Sequence, residues 1–342
     1  MHFKRVPNLI IEPTSDGLYC PAGDFHIDPW HPVPRALVTH SHSDHACPGS
    51  GTYLTAQSNK RLLSYRLGAD AAIETLPYGE SCDRNGVKVS FHPAGHVLGS
   101  AQVRVEYQGE VWVVSGDYKL APDPTCAAFE PLRCHTFITE STFALPIYRW
   151  ASDASVFADI NAWWRRNQEA GKASLLFAYA LGKAQRLLSG IDISIGPVFA
   201  HGAVRGVNHC YRESGVALPA EGAPDDAPKG YDWSRALILA PPSAHGSPWT
   251  RRFGTFSAAF ASGWMRIRGT RRRKAIDRGF VLSDHADWPA LLQAIEQTGA
   301  DRILVTHGYR AQLAHWLTEQ GKEAQTIDTQ WDDDEDASPD NS

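Results

Sequence analysis

The chain has 342 residues, 43% of them hydrophobic and 21% charged, with a formal net charge of −5. That is the composition of a soluble globular protein long enough to bury two cores, and no apolar run approaches the roughly 20 residues that cross a membrane. The six cysteines (Cys20, Cys47, Cys82, Cys126, Cys134 and Cys210) contain no C-x-x-C pair, and Met1 to Ile11 is too short and polar for a secretion signal, so a reduced, cytoplasmic protein is expected.

Segment 1–140 reads as short strands and turns. Arg35 to Thr39 is an apolar run that stops at a polar cluster, and Lys88 to Phe91 and Ala101 to Tyr107 alternate. Glu110 to Val114 is β-branched and aromatic. Asn85-Gly86 and Gln108-Gly109 are placed to turn between such strands. From Asp153 the pattern changes. Val156, Ile160 and Trp163-Trp164 recur at helical spacing, Leu175 to Ala178 reads as a buried strand, and a helix is expected to start after Gly182. This alternation predicts an α/β unit. Residues 213–234 read as a surface loop. Asp287 to Gln297 is an amphipathic helix with Pro289 in its first turn, followed by a strand from Arg302 to Val305.

Charge is unevenly distributed. Between Arg251 and Arg278 there are nine Arg or Lys against one acid, Asp277, whereas Asp332 to Asp340 carries six acids. A basic stretch of this kind is either a solvated face or a surface for an anionic ligand. The tail after Trp331 is expected to be disordered.

The chemistry is concentrated in His40-Ser41-His42-Ser43-Asp44-His45, just past a predicted buried strand. Side chains two apart at a strand end point the same way, so His40 and His42 could grip one metal, while Asp44 and His45 could grip another. His96 lies in a glycine-flanked loop, where a lone histidine more often serves a structural role. Asp117 and His307 each follow a hydrophobic strand, and Asp117, with two carboxylate oxygens, is placed to bridge two ions. Each is weak alone, but the same design recurs. Imidazole and carboxylate suit Zn²⁺ and also accept Mn²⁺. Two such ions lower the pKa of a shared water and stabilise an in-line displacement at phosphorus.

These motifs resemble the β-CASP branch of the metallo-β-lactamase superfamily, over about residues 16 to 330. Gly17 to Asp24, Phe177 to Arg186 and Ser283 to Trp288 are most similar to the bacterial ligase-associated DNA-repair exonucleases, which are Artemis-like nucleases. The resemblance implies an αββα sandwich interrupted by an α/β β-CASP domain. The first part of the sandwich would be 1–142, the insertion 143–279 and the second part 280–330, with an acidic tail at 331–342. It also implies residue roles: His40, His42 and His96 at a first metal, Asp44, His45 and His307 at a second, and Asp117 bridging. Glu140 would support the metal shell, and His285 would contact the scissile phosphate and protonate the leaving oxygen. Read from the residues alone, Glu140 is equally a helix N-terminal acid and His285 an N-cap neighbour.

Within the inserted domain, Leu181 to Gln185 would offer a phosphate cradle at a helix start. Ser141, Thr142, Lys183, Arg186, Arg271 and Arg272 are the expected phosphate contacts. Trp249, Phe253 and Trp264 are available for base stacking, although core packing accounts for such aromatics at least as well. The implied activity is a metal-dependent DNA phosphodiesterase, an exonuclease of DNA repair using a two-metal activated hydroxide. Its substrate would be single-stranded DNA or a duplex end, and its partners a repair DNA ligase and a helicase. His307 stands where RNA-processing members also carry histidine, so the metal ligands do not choose DNA over RNA. The alternatives are an RNA nuclease of the same fold, a small-molecule hydrolase, and a non-catalytic nucleic-acid-binding scaffold. The basic stretch argues against the second and the full ligand set against the third.

Overall fold

The structure, a computed structural model, describes residues 9–267 and 276–327. Arg271, Arg272 and the acidic tail, all singled out above, lie outside the described residues. The chain forms two compact units. Of the described residues, one gathers 9–122, 127–145 and 288–327; the other holds 123–126, 146–267 and 276–287.

The first unit opens with strands β1 (Glu12–Thr14), β2 (Gly17–Cys20), β3 (Phe25–Ile27), β4 (Arg35–Val38) and β5 (Thr52–Ala56). Helix α1 (Lys60–Leu67) and strand β6 (Ile73–Leu76) follow, and the six strands form one sheet in sequence order. A second sheet begins with β7 (Ser81–Arg84), β8 (Val87–Pro93), β9 (Ala101–Tyr107), β10 (Glu110–Val114) and β11 (Thr136–Ser141). Both expected hairpins form. Arg84 pairs with Val87 and Tyr107 with Glu110. The intervening Asn85-Gly86 and Gln108-Gly109 all take positive φ, the geometry of a type I′ turn whose twist matches the strands it joins. Helix α1 was not anticipated. Only Leu62 and Leu63 of its eight residues are buried, too short a stripe to stand out as a period.

The second unit contains α2 (Asp153–Glu169), β12 (Ala173–Phe177), α3 (Lys183–Gly190), β13 (Val198–Ala200), α4 (Gly202–Glu213), β14 (Leu237–Ala240), β15 (Phe256–Ala261) and β16 (Arg278–Phe280). Its five strands are parallel, in the order β13-β14-β12-β15-β16. A parallel sheet is covered on both faces, so its strands read as continuous apolar runs. Here Leu176, Leu239 and Ala259 serve one core, while Leu175, Phe177, Ile238 and Phe260 serve the other. Helix α2 starts where Ser152 caps it by accepting from the Ser155 amide, and it buries Val156, Ile160, Trp163 and Trp164 at the spacing read from the sequence. The loop expected at 213–234 is interrupted by two short 3-10 turns, Pro224–Asp226 and Trp233–Arg235.

The chain then returns to the first unit with α5 (Trp288–Thr298), β17 (Arg302–Gly308), α6 (Arg310–Glu319) and β18 (Glu323–Thr326). Strands β17 and β18 complete the second sheet, ordered β18-β17-β11-β10-β9-β8-β7. The two sheets of this unit share one core, in which Phe25, Leu37 and Leu54 meet Phe91, Val103 and Ile138. Leu63 of α1 packs with Val38 and Tyr53 on the far side of the first sheet, and α5 and α6 pack on the second. The described residues are thus a mixed α/β architecture, and among them no helix is long and apolar enough to cross a membrane.

Candidate metal centre

The run from His40 to His45 lies in the loop after β4, not on the strand, which ends at Val38. The period-two argument therefore does not explain why His40 and His42 converge. Side-chain hydrogen bonds do. Asp28 accepts from the Thr39 amide at 2.8 Å and from the Thr39 hydroxyl at 2.6 Å. The Ser41 hydroxyl donates to Asn59 Oδ1 (2.7 Å), Asn59 Nδ2 donates to Thr55 Oγ1 (2.9 Å), and the Thr55 hydroxyl donates to the Val38 carbonyl (2.8 Å). Ser41, Asn59 and Thr55 are all buried, so a fully satisfied polar chain fixes the loop.

The same bonds assign ring protons. The single hydroxyl proton of Thr39 goes to Asp28, so Thr39 Oγ1, 3.1 Å from His40 Nδ1, must accept there. His40 then carries its proton on Nδ1 and presents an Nε2 lone pair. His45 Nδ1 lies 2.7 Å from Asp28 Oδ2, which places that ring proton on Nδ1 too. The Thr306 hydroxyl donates to the Thr139 carbonyl at 3.2 Å and sits 3.1 Å from His307 Nδ1, so His307 also keeps Nε2 as its lone pair.

These lone pairs converge. His40 Nε2 and His96 Nε2 lie 3.0 and 3.1 Å from His42 Nδ1. Asp117 Oδ2 is 3.4 Å from His40 Nε2, 3.5 Å from His45 Nε2 and 3.7 Å from His96 Nε2. One ligand atom from each of His40, His42, His96 and Asp117 falls within 4.8 Å of all the others. Donors about 2.0–2.1 Å from a tetrahedral Zn²⁺ stand about 3.3–3.4 Å apart, so this spacing is the edge of a coordination shell. His45 Nε2 is buried and makes no hydrogen bond, although Asp44 Oδ2 is only 3.6 Å away. The His307 ring stacks on His45 with centroids 5.3 Å apart. An orphaned buried nitrogen beside carboxylate oxygens is what a cation satisfies, and the donor set fits one.

Burial and charge act differently on the three rings. Burial, and then the neighbouring His45, hold His40 well below the ordinary imidazole value and lower His307, so both are neutral donors at pH 7. Burial also opposes charge on His45, but Asp117, Asp44 and Asp28 outweigh it and hold His45 well above that value.

Two close approaches need glycine. A Cβ on Gly116 would meet Thr39 Cβ at 2.7 Å, and one on Gly99 would meet the Asn59 backbone at 2.4 Å; both residues have positive φ. The first lets the β10–β11 connection bring Asp117 against the His40 loop, and the second seats the His96 loop. Glu140 is buried in β11 rather than at a helix start, and its Oε1 accepts from the Tyr118 amide at 2.7 Å. Ser141 is buried, and its hydroxyl donates to the carbonyls of Thr306 and His307. It fixes the bulged end of the β11–β17 pair and is not presented to a ligand as expected. Thr142 is half-buried beside it.

The second unit holds the expected phosphate cradle and its cations. The Gly182 amide donates to Gln185 Oε1 at 2.7 Å, and the Ala184 amide to the Tyr179 carbonyl at 3.1 Å. Two amides of the expected cradle thus have partners within the unit. Lys183 is buried, 3.4 Å from Asp284 Oδ2, with its ammonium over the Tyr179 ring. Arg186, also buried, donates to both oxygens of Asp153, to Asp284 and to the Ser283 carbonyl. Both cations are held by acids of their own unit. His285 lies in this unit, its amide donating to Ser283 Oγ at 3.1 Å and its carbonyl accepting from the Trp150 indole at 2.9 Å. Phe253 is core, Trp249 packs on it, and Trp264 packs on Tyr148. Sequence reasoning missed Asp28, which no local motif marks.

No family model matches the chain. The chain is 32% identical over 317 residues to a probable DNA ligase of Opitutus terrae, covering 92% of this chain and 30% of that protein. It is 32% identical over 124 residues to cleavage and polyadenylation specificity factor subunit 3 of Dictyostelium discoideum, and 33% identical over 124 residues to endoribonuclease YSH1 of Saccharomyces cerevisiae. Each of those matches covers 35% of this chain and, respectively, 16% and 15% of the relative. The chain therefore spans less than a third of each of these curated relatives. Among solved structures, it resembles a protein of unknown function from Enterococcus faecalis, with a TM-score of 0.56 at 11% identity, over 86% of this chain and 79% of that one. That likeness is one of fold.

Proposed function

We propose that this chain is a metal-dependent phosphodiesterase acting on nucleic acid, of the β-CASP branch of the metallo-β-lactamase superfamily, and that its substrate is DNA. The convergence of His40 Nε2, His42 Nδ1, His96 Nε2 and Asp117 Oδ2 carries the reading. In it, His40, His42 and His96 would hold one ion, Asp44, His45 and His307 would hold a second, and Asp117 would serve both. Two divalent ions, Zn²⁺ or Mn²⁺, would supply a water acidified to near-neutral pKa and charge stabilisation at phosphorus.

The chain's own groups do the rest. Asp28 keeps the His45 proton on Nδ1 and so reserves Nε2 for coordination. Thr39 and Thr306 do the same for His40 and His307. Burial excludes competing water from these rings and keeps His40 and His307 neutral. His285 contacts the scissile phosphate and gives its ring proton to the leaving oxygen. Glu140, held by the Tyr118 amide, supports the shell around Asp117. The inserted unit is the β-CASP domain.

DNA is favoured because the similarity covering 92% of the chain is to a protein named as a DNA ligase. On this reading the chain acts in repair, beside a ligase activity, as an exonuclease. A second reading, an RNA nuclease, is favoured by the similarity of about a third of the chain to proteins named as endoribonucleases. Digestion of end-labelled DNA and RNA strands of one sequence separates the two: DNA shortening supports the first reading, and cutting of RNA alone overturns it for the second.

A further inference from the structure

The second unit carries a groove of about 700 Å³ between the start of α2 and the edge strand β16. Arg149, Arg266 and Arg278 line it together with Trp150, Phe280 and Asp159. The charges are unequal. Arg278 lies over the Phe280 ring, 5.4 Å from its centroid, with Asp159 at 3.6 Å. The other acid in the lining, Asp277, is exposed, and its Oδ2 accepts from the Ser257 hydroxyl at 2.9 Å and the Ala258 amide at 3.0 Å. Arg266 is anchored through Nε to the Ile147 carbonyl at 3.1 Å, and Arg149 is exposed. Three guanidinium groups therefore line an open groove with two acids, one of which, Asp277, already has an oxygen engaged by the sheet.

Guanidinium forks match phosphate oxygens in pairs, and a half-buried indole offers a face to a base of any identity. The volume is that of a small-molecule site, enough for a nucleotide unit of a longer strand. A peptide partner would need pockets for alternate side chains along the edge strand, and β16 is only three residues long. Trp150 also donates its indole N–H to the His285 carbonyl, so the groove and the Ser283–Asp287 loop share a side chain.

We propose that this groove binds the sugar-phosphate backbone of a single nucleic-acid strand, with one base on Trp150, as a site separate from the histidine cluster. The inference rests on the nucleic-acid reading above and adds the place where the strand lies. The test is fluorescence anisotropy of the full chain with a labelled twelve-nucleotide thymidine strand, in EDTA so that no cutting occurs. Arg149→Glu and Arg278→Glu are each expected to weaken binding at least tenfold, and to reduce the slope of log K against log salt by about 0.7 each. Arg165→Glu, on α2 but outside the groove and paired with Asp192, is expected to bind as wild type. Trp150→Phe is expected to bind within a few-fold of wild type, and Trp150→Leu to lose affinity for the thymidine strand but not for an abasic strand of equal charge.

Wild-type affinity and slope in both arginine variants would overturn the proposal. So would an acidic peptide of equal charge that binds as tightly and is lost in the same variants, because the site would then belong to protein. Binding lost in the variants of a protein that cuts nothing leaves the groove standing while the nuclease reading falls. Cutting retained alongside unchanged binding in the variants does the reverse.

Discussion

Asp28 Oδ2 lies 2.7 Å from His45 Nδ1, seventeen residues away in sequence. The same carboxylate holds the amide and hydroxyl of Thr39, which in turn fixes the ring of His40. One half-buried acid therefore sets the proton positions of two histidines that face Asp117. Carboxylates behind metal-binding histidines raise ligand basicity and orient the ring.

Asp28 sits at positive φ, a conformation that asparagine tolerates. Asp28→Asn is therefore expected to fold while losing about 10–100-fold in Zn²⁺ affinity. Competition against a coloured chelator measures this. Affinity equal to wild type would mean that Asp28 only pins the loop.

Converging lone pairs are stabilised by a cation in the folded state alone. Chelation is expected to lower the melting temperature, and re-addition of Zn²⁺ at about a hundredfold over its dissociation constant to restore about 2.7 kcal/mol. Identical thermal unfolding with and without chelator contradicts a resident ion.

Arg186 is buried among Asp153, Asp284 and Asp123. Arg186→Met leaves those acids without their central cation and is expected to cost about 3–5 kcal/mol in urea unfolding. A loss below about 1 kcal/mol would show that the acids find other partners or protonate.

Burial pushes the Cys134 thiol up to about 12, with the Thr298 hydrogen bond only partly opposing it. Its folded value is raised, so its contribution to stability is complete below pH 9 and lost as pH rises toward 12. At pH 8.5 the folded thiol is expected to react with iodoacetamide at least tenfold more slowly than in urea. Equal rates would contradict the burial.

Much of this was legible locally. Asn85-Gly86 announces its turn because few other dipeptides tolerate two positive φ values, and Gln108-Gly109 does so through its glycine. The run of four candidate ligands after β4 is visible because its residues are adjacent. Long-range pairing was not legible. Ser141 reads as a phosphate contact until β11 lies beside β17, when its hydroxyl is taken by the Thr306 carbonyl 165 residues away. Arg186 reads as a strand-orienting cation until three acids from separate segments close on it. Lys183 follows the same course with Asp284. In each case the sequence shows a polar group, and only the fold shows which partner it meets first.

The most direct measurement is cleavage of end-labelled single-stranded DNA by chelator-stripped protein reloaded with Zn²⁺ or Mn²⁺, beside His42→Ala treated identically. The account predicts shortening only after reloading and loss of at least a hundredfold in rate in the variant, whose circular dichroism matches wild type. Cleavage by the stripped protein, or by reloaded His42→Ala at the wild-type rate, would contradict a catalytic role for the cluster.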